Sequence, residues 1–333
     1  MMKLYLPFAI LFFFLFSCNY SSKQDLKAEQ ESLHKTAEKI DRDFAIIRNE
    51  VGSLALKIQK LYESRPNKPL KPAKDLYHLA PNGVFYKTRD DGGSAICVTG
   101  VYPVNEEIKQ IVYLTEPIDT EFVRIVKQYP EVVQVYYNDK HSCNRIYPFF
   151  DVLSQYEAKM DIPSYNFYYM ADEKHNPKRK AVWVNEPYVD PAGRGWMVSA
   201  IAPVYVTNKL VGVPGIDVTI NEIAKRYLPQ HSSSMTLIMD NTGTVVTAQE
   251  SAINFLSFPP LFDHKYIETI KQNTYRKELY NLTLSKEEWV RDLAKQILRN
   301  EKHVVETKQK GKNITVLADH IHELDWYLVK ILK

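Results

Sequence analysis

Glycine is scarce in this sequence, with 11 in 333 residues. No glycine-rich loop of the kind that cradles phosphate is present, and no serine sits in a Gly-x-Ser-x-Gly turn. With no catalytic constellation legible, the sequence reads as a non-enzyme and calls for no cofactor. An excess of charge of one sign is missing too. The 43 basic and 40 acidic side chains leave a net charge of +3. A nucleic-acid binder would need a basic excess on one face, so no nucleic acid is expected as partner. His320 and His322 lie two apart on a predicted strand with Asp325 near. Such a pair is more often exposed than metal-bound, and no metal is expected. Beyond the first residues no apolar run reaches membrane length, and the sequence runs to Lys333 without a second membrane segment.

The beginning is different. Lys3 is a charged start, and Leu4 to Phe16 is an apolar run broken only by Pro7. As a helix it spans roughly 20 Å, short of the roughly 30 Å of hydrocarbon a spanning helix must cross. It fits the core of a signal peptide over residues 1–17. The run ends in Leu15-Phe16-Ser17-Cys18, which resembles the lipobox of bacterial lipoproteins, with Phe16 bulky for its slot. The resemblance implies that Cys18 carries a diacylglycerol. The expected location is then the cell envelope, lipid-anchored to the membrane and facing the periplasm or the cell surface. Two cysteines remain, Cys97 and Cys143. Outside the cytoplasm an even pair can be oxidised. A disulfide there would contribute on the order of 3–4 kcal/mol; two buried free thiols are the alternative.

Residues 18–67 form one segment, in which Ser21 to Asn67 reads as a long helix. Leu33, Ala37, Ile40, Phe44, Ile47, Val51, Leu54, Ile58 and Leu61 alternate steps of four and three. That is a heptad seam kept for about four heptads. Pro66 and Pro69 stop it. So regular a seam needs a partner, either the body of the same chain or the same helix of a second copy in a homodimer.

The rest reads as α+β, with antiparallel sheets in two units, 68–228 and 229–333. In the first, short strands at Val84–Lys87 and Ala95–Thr99 flank Asp90-Asp91-Gly92-Gly93. Helices are predicted at Glu106–Leu114, Glu121–Gln128 and Phe150–Met160, and a strand at Val132–Tyr137. Strands follow at Ala181–Val184, Trp196–Val206 and Leu210–Val218, then a helix at Asn221–Tyr227. In the second unit a hairpin turns at Asn241-Thr242-Gly243. A helix from Ser285 to Asn300 has Ser285 and Glu288 spaced as a capping box. Strands at His303–Thr307, Ile314–His320 and Trp326–Leu332 close the chain.

The stretch Asn176 to Ile220 carries the most information. Asp217 is a charged residue in an otherwise apolar strand. A buried carboxylate is costly unless something pairs with it, and a ligand ammonium group would do so; capping a turn or the following helix is the alternative. Tyr188 and Asp190 precede the tight Pro191-Ala192-Gly193 turn, which they serve on the alternative reading. Gly212 and Gly215 let chain or ligand approach closely. Tyr168, Tyr169, Trp183 and Tyr188 offer amphipathic rings for a pocket wall. Tyr168 and Tyr169 alternate faces, so only one points inward, and Tyr169 is the choice.

The pieces Tyr188-Val-Asp190, Gly195-Trp196-Met-Val-Ser199, Pro203-Val-Tyr205 and Gly212-Val-Pro-Gly215-Ile-Asp217 together resemble the double Cache family. These are PAS-like extracytoplasmic sensor domains of bacterial chemoreceptors and sensor kinases. Met235 to Ala248 resembles the first hairpin of that family's second subdomain, and Asp325-Trp326 its closing strand. The resemblance implies a long N-terminal helix followed by two PAS-like subdomains, a small-molecule ligand bound in the membrane-distal one, and a reporting function. In the amino-acid-binding branch, residues matching Tyr188, Asp190 and Asp217 hold the ligand's amino group. An arginine close before Trp-Tyr holds its carboxylate there; here Arg179, Trp183 and Val184 give a wider spacing and no tyrosine. The expected ligand is an amino acid, an amine or a similar small polar solute. A chain with no membrane helix of its own would report to a membrane sensor partner or within a dimer. The rival expectation is an adaptor with a vestigial pocket that acts through its helical seam.

Overall fold

The structure, a computed structural model, describes residues 23–71, 76–230, 234–259 and 277–333. The expected signal peptide, 1–17, and Cys18 lie outside the described residues.

Helix α1 (Lys23–Glu63) runs unbroken for 41 residues. Its seam from Leu33 to Ile58 is buried at every predicted position, and Leu61 packs at the margin. Burial of each large apolar side chain stabilises by about 1.5–3 kcal/mol. The partner that the seam needs is the body of the same chain. Of the two partners expected for the seam, the body of the same chain is the one that covers it.

The first sheet contains β1 (Tyr77–Leu79), β2 (Phe85–Lys87), β3 (Ala95–Val98), β4 (Val132–Asp139), β5 (Cys143–Tyr147), β6 (Val182–Val189), β7 (Trp196–Ile201), β8 (Val204–Val206) and β9 (Lys209–Thr219). Its order is β1-β2-β3-β5-β4-β9-β7-β6, with β8 also on β9. Every pairing is antiparallel. The predicted strand Trp196–Val206 is two strands, because Pro203 has no N–H to give the ladder. One face packs on α1, α2 (Glu106–Leu114) and α3 (Asp119–Gln128). The other is covered by the segment holding α4 (Val152–Gln155) and α5 (Asn166–Tyr169). The expected helix Phe150–Met160 is thus a single turn. Asp151 caps it by accepting from Leu153 N at 3.2 Å, and Tyr156 is already extended.

Helix α6 (Ile220–Tyr227) leaves the first sheet, with Thr219 as its side-chain N-cap. The second sheet holds β10 (Thr236–Asp240), β11 (Val245–Ala248), β12 (Val304–Gln309), β13 (Lys312–Ile321) and β14 (Trp326–Leu332), in the order β11-β10-β14-β13-β12. Alternation sorts its side chains. Leu237, Val316 and Val329 face α7 (Glu250–Phe255) and α8 (Glu288–Leu298), whereas Ile238, Leu317 and Leu328 join the α1 seam. Helix α8 starts three residues later than predicted. Ser285 Oγ accepts from Glu287 N instead of closing a capping box.

One cluster therefore runs from the first sheet through α1 to the second. A polar link reinforces it. Asn185 on β6 donates from Nδ2 to Leu324 O at 2.8 Å, and its carbonyl accepts from Trp326 Nε1 at 3.1 Å.

The disulfide expectation is also corrected. The β3–β5 register pairs Cys97 with Asn144 and Val98 with Cys143. Side chains alternate, so the two thiols point to opposite faces of the sheet. Both are buried and free, and burial pushes the Cys97 thiol up to about 12.

Candidate functional site

Three neighbouring strands build the site. The β4–β9 register sets Gln134 opposite Asp217, and the β7–β9 register sets Ser199 opposite Asp217. These three side chains form a row on the face away from α1. Gln134 Nε2 donates to Asp217 Oδ2 at 2.6 Å, and Ser199 Oγ donates to Asp217 Oδ1 at 2.5 Å. Tyr188 on β6 extends the row, its hydroxyl 2.5 Å from Ser199 Oγ. Further along β4, Tyr136 and Asn138 share the face of Gln134 by alternation.

Gly215 is required here. A Cβ on it would lie 2.0 Å from Tyr136 Cζ, so the ring crosses β9 only because the side chain is absent. Gly212 serves Tyr137 in the same way. The close approach expected at both glycines is made by the protein's own tyrosines.

Asp190 sits in the turn after β6. Its Oδ1 accepts from Ala192 N at 3.0 Å and its Oδ2 from Arg194 N at 3.1 Å, while Gly193 takes φ 86°. The carboxylate holds the turn and also lines the cavity. Arg194 is the nearest cation, but its guanidinium donates to Val133 O at 2.8 Å and Pro148 O at 3.1 Å.

A cavity of about 20 Å³, partly open to solvent, lies here. Gln134, Tyr136, Tyr188, Asp190 and Asp217 form its polar floor, and Asn138 and Asn144 one end. Tyr156, Met160, Ile162 and Phe167 roof it. Asp217 is 1% exposed and Asp190 4%. Burial, and then the Asp190 charge, push Asp217 up to about 8. Burial raises Asp190 as well, against the backbone N–H groups of Ala192 and Arg194. Tyr136, Tyr156 and Tyr188 are pushed well up by burial and stay neutral. Two buried atoms in the floor, Gln134 Oε1 and Tyr136 Oη, have no hydrogen-bond partner among the described residues. The arrangement is acidic and rich in acceptors, and no Lys or Arg is among the described residues that line it. It suits a small positive group.

The predicted residues divide. Tyr188, Asp190 and Asp217 meet at this cavity; Tyr169, Arg179 and Trp183 do not. Tyr169 is exposed against His175, and Tyr168 is buried instead. The alternate-face argument fails because residues 166–169 form a helical turn, which buries both Phe167 and Tyr168. Trp183 faces α1, with its ring 4.9 Å from Phe44. Arg179 lies at the surface with its guanidinium 4.1 Å over the Tyr205 ring, bonded to Asn208 and Glu173. Sequence reasoning missed Gln134, Tyr136, Asn138, Ser199 and the roof. The alternation Gln134, Tyr136, Asn138 inside a predicted strand was the available signal for a polar inner face.

His320 and His322 also meet, with Nδ1 atoms 2.9 Å apart, and Asp325 faces His320 Nε2 at 2.9 Å. Among the described residues no group of three or more His, Cys, Asp or Glu side chains could hold a metal. Among them, too, no helix is long and apolar enough to cross a membrane.

No family model matches the chain, and no curated protein matches it. Solved structures do. The fold is that of double Cache extracellular sensory domains. The ligand-binding domain of the Pseudomonas fluorescens chemoreceptor CtaA, in complex with L-isoleucine, is similar at 13% identity and a TM-score of 0.50, with 93% of each chain covered. The same receptor domain in complex with L-serine is similar at 13% identity and a TM-score of 0.50, covering 94% of this chain and 99% of that one. The extracellular domain designated histidine kinase mmHK1S-Z2 is similar at 13% identity and a TM-score of 0.50, covering 93% and 96%.

Proposed function

We propose that this chain is an extracytoplasmic sensor that binds a small solute through an ammonium group and reports its presence to a partner. One observation carries the reading. Asp217 is buried at a cavity with no Lys or Arg among the described residues that line it. A buried charge without a counter-charge is costly, and a cationic solute removes that cost. The similar solved domains in complex with L-isoleucine and L-serine support solute binding by this fold. The absence of a cation from the lining favours an amine over a zwitterion, since a free carboxylate would find no guanidinium there. In this reading residues 68–228 are the solute-binding, membrane-distal unit and residues 229–333 the membrane-proximal one. The protein acts by binding rather than by catalysis.

The reading includes export, cleavage before Cys18 and a lipid anchor on that cysteine. A lipid cannot carry a conformational signal across a bilayer, so a membrane sensor partner would have to feel the bound state. Two measurements test it. The first is thermal-shift and calorimetric screening of the full-length protein with amines, amino acids and carboxylates. Stabilisation by an amine is expected, and stabilisation that survives Asp217→Ala sinks the assigned pocket. The second is fractionation of Cys18→Ser. Loss from the membrane fraction is expected, and retention there argues against the anchor.

A further inference from the structure

The hairpin of β12 and β13 carries a charge pattern that solute binding does not use. Its ladder runs from Val304 opposite Leu317 to Gln309 opposite Lys312. Lys310 and Gly311 make the two-residue turn, with φ 48° and 79°. Such a turn ordinarily takes Asn-Gly. Here its first place is a lysine, flanked by Lys308 and Lys312. All three are exposed, and none forms an ion pair with a described residue. Glu306 is the one acid of the hairpin. A fourth ammonium group lies close by. Lys333 Nζ is 4.7 Å from the centre of the Phe255 ring, and Gln309 Nε2 donates to Phe255 O at 3.3 Å.

The hairpin and the start of α1 face the same end of the molecule. His34 on α1 meets Asp319 on β13 at 2.8 Å. One turn and a half earlier, Glu29 meets Lys330 at 2.6 Å, and Lys330 stands opposite Leu317. Helix and strand therefore descend together toward the tip. The Lys330 pair also neutralises Glu29. Helix α1 begins at Lys23, five residues after Cys18. Five residues of chain span at most about 18 Å.

Resting on the reading that Cys18 carries a lipid, we propose that the tip formed by Lys308, Lys310 and Lys312, with Lys333, docks on the anionic phospholipid headgroups of the membrane that holds the anchor. The lipid fixes one point of the protein. The lysines fix its orientation, with the second sheet against the bilayer and the first sheet held away from it. Each lysine near such a surface tightens binding about fivefold, and salt screens the attraction.

The test compares vesicles of phosphatidylcholine alone with vesicles rich in phosphatidylglycerol. In the first arm, purified full-length protein is reconstituted in each and its amines are acetylated and read by mass spectrometry. Lys308, Lys310 and Lys312 are expected to lose reactivity on the anionic vesicles only and to regain it at high salt. Lys60, exposed in the last turn of α1, should react equally on both. The second arm is co-sedimentation of full-length Cys18→Ser protein, which needs no anchor. Lys308→Gln, Lys310→Asn and Lys312→Gln together should weaken its binding to the anionic vesicles on the order of a hundredfold. Binding to neutral vesicles and the unfolding midpoint should not fall. Equal footprints on the two vesicles, or an unchanged affinity in the triple variant, overturn the proposal; the lysines then only keep an edge strand from pairing. Protection in native membranes but on neither vesicle assigns the tip to an acidic protein and overturns it as well. The lysine effect found in full, beside Cys18→Ser protein that stays in the membrane fraction of cells, strikes the anchor reading alone.

Discussion

Asp217 is expensive where it stands, and the expense has a pH signature. Folded, its carboxyl is pushed up to about 8 from an ordinary 3.8. Between those values the folded chain keeps a proton that the unfolded chain has released. Stability therefore falls as pH rises across that window and levels off above it. Asp190 is raised too and acts with the same sign. Asp43, Asp91, Glu121 and Asp172 are held below their usual range, so their contribution is lost only on acidification below about 4. The pair His34–Asp319 weakens as His34 deprotonates, but wild type and an Asp217 variant share it. Urea denaturation at pH 5 and pH 9 isolates the Asp217 effect. Asp217→Asn should flatten part of the wild-type fall and should be the more stable protein at pH 9, by on the order of 2 kcal/mol. Equal slopes in the two proteins would refute the burial cost. Asp217 was legible in the sequence because a charge stood out in an apolar strand. Gln134 and Ser199 were not, because a polar residue in a strand looks the same whether it faces solvent or a carboxylate.

Helix α1 has two sheets as its partner. Phe44 is fully buried and lies at the middle of the seam, its ring tilted against Trp183 and Tyr227. Phe44→Ala should cost about 3–5 kcal/mol in equilibrium denaturation. A loss below about 1 kcal/mol would mean that the helix is peripheral to the fold. The seam itself was fully legible, because period and amphipathicity are local. Its partner was not, since heptads read alike whether they face another helix or a sheet. Strand β5 was missed for a related reason. Its centre is Arg145, which reads as exposed, yet the guanidinium is fully buried. It donates to Asp119 Oδ1 at 2.7 Å, Thr115 Oγ1 at 3.2 Å and Val112 O at 2.7 Å. Those partners lie some thirty residues away, and no local pattern announces them. Asp151 and Tyr156 likewise cut short a helix that composition favoured.

For the whole molecule, the shared cluster predicts cooperative unfolding. Apolar residues of both sheets pack on one α1 seam, so the loss of either sheet exposes apolar surface of a helix that the other also needs. Differential scanning calorimetry of the full-length protein should give one endotherm with matching calorimetric and van't Hoff enthalpies. Two resolved transitions would show that the units are energetically separate. The division into two units was read from the order of hairpins, helices and strands. The covering of both by one helix required the fold.

The bonds from Asn185 give the protein an optical gauge. Strand β6 carries Tyr188 at the cavity and Asn185 three residues earlier, hydrogen-bonded through its carbonyl to the indole of Trp326 on the other sheet. Trp326 is fully buried, so its emission depends on that bond and its packing rather than on solvent. A shift of β6 on solute binding should therefore appear as a change in tryptophan emission, without any label, and should fade in Trp326→Phe.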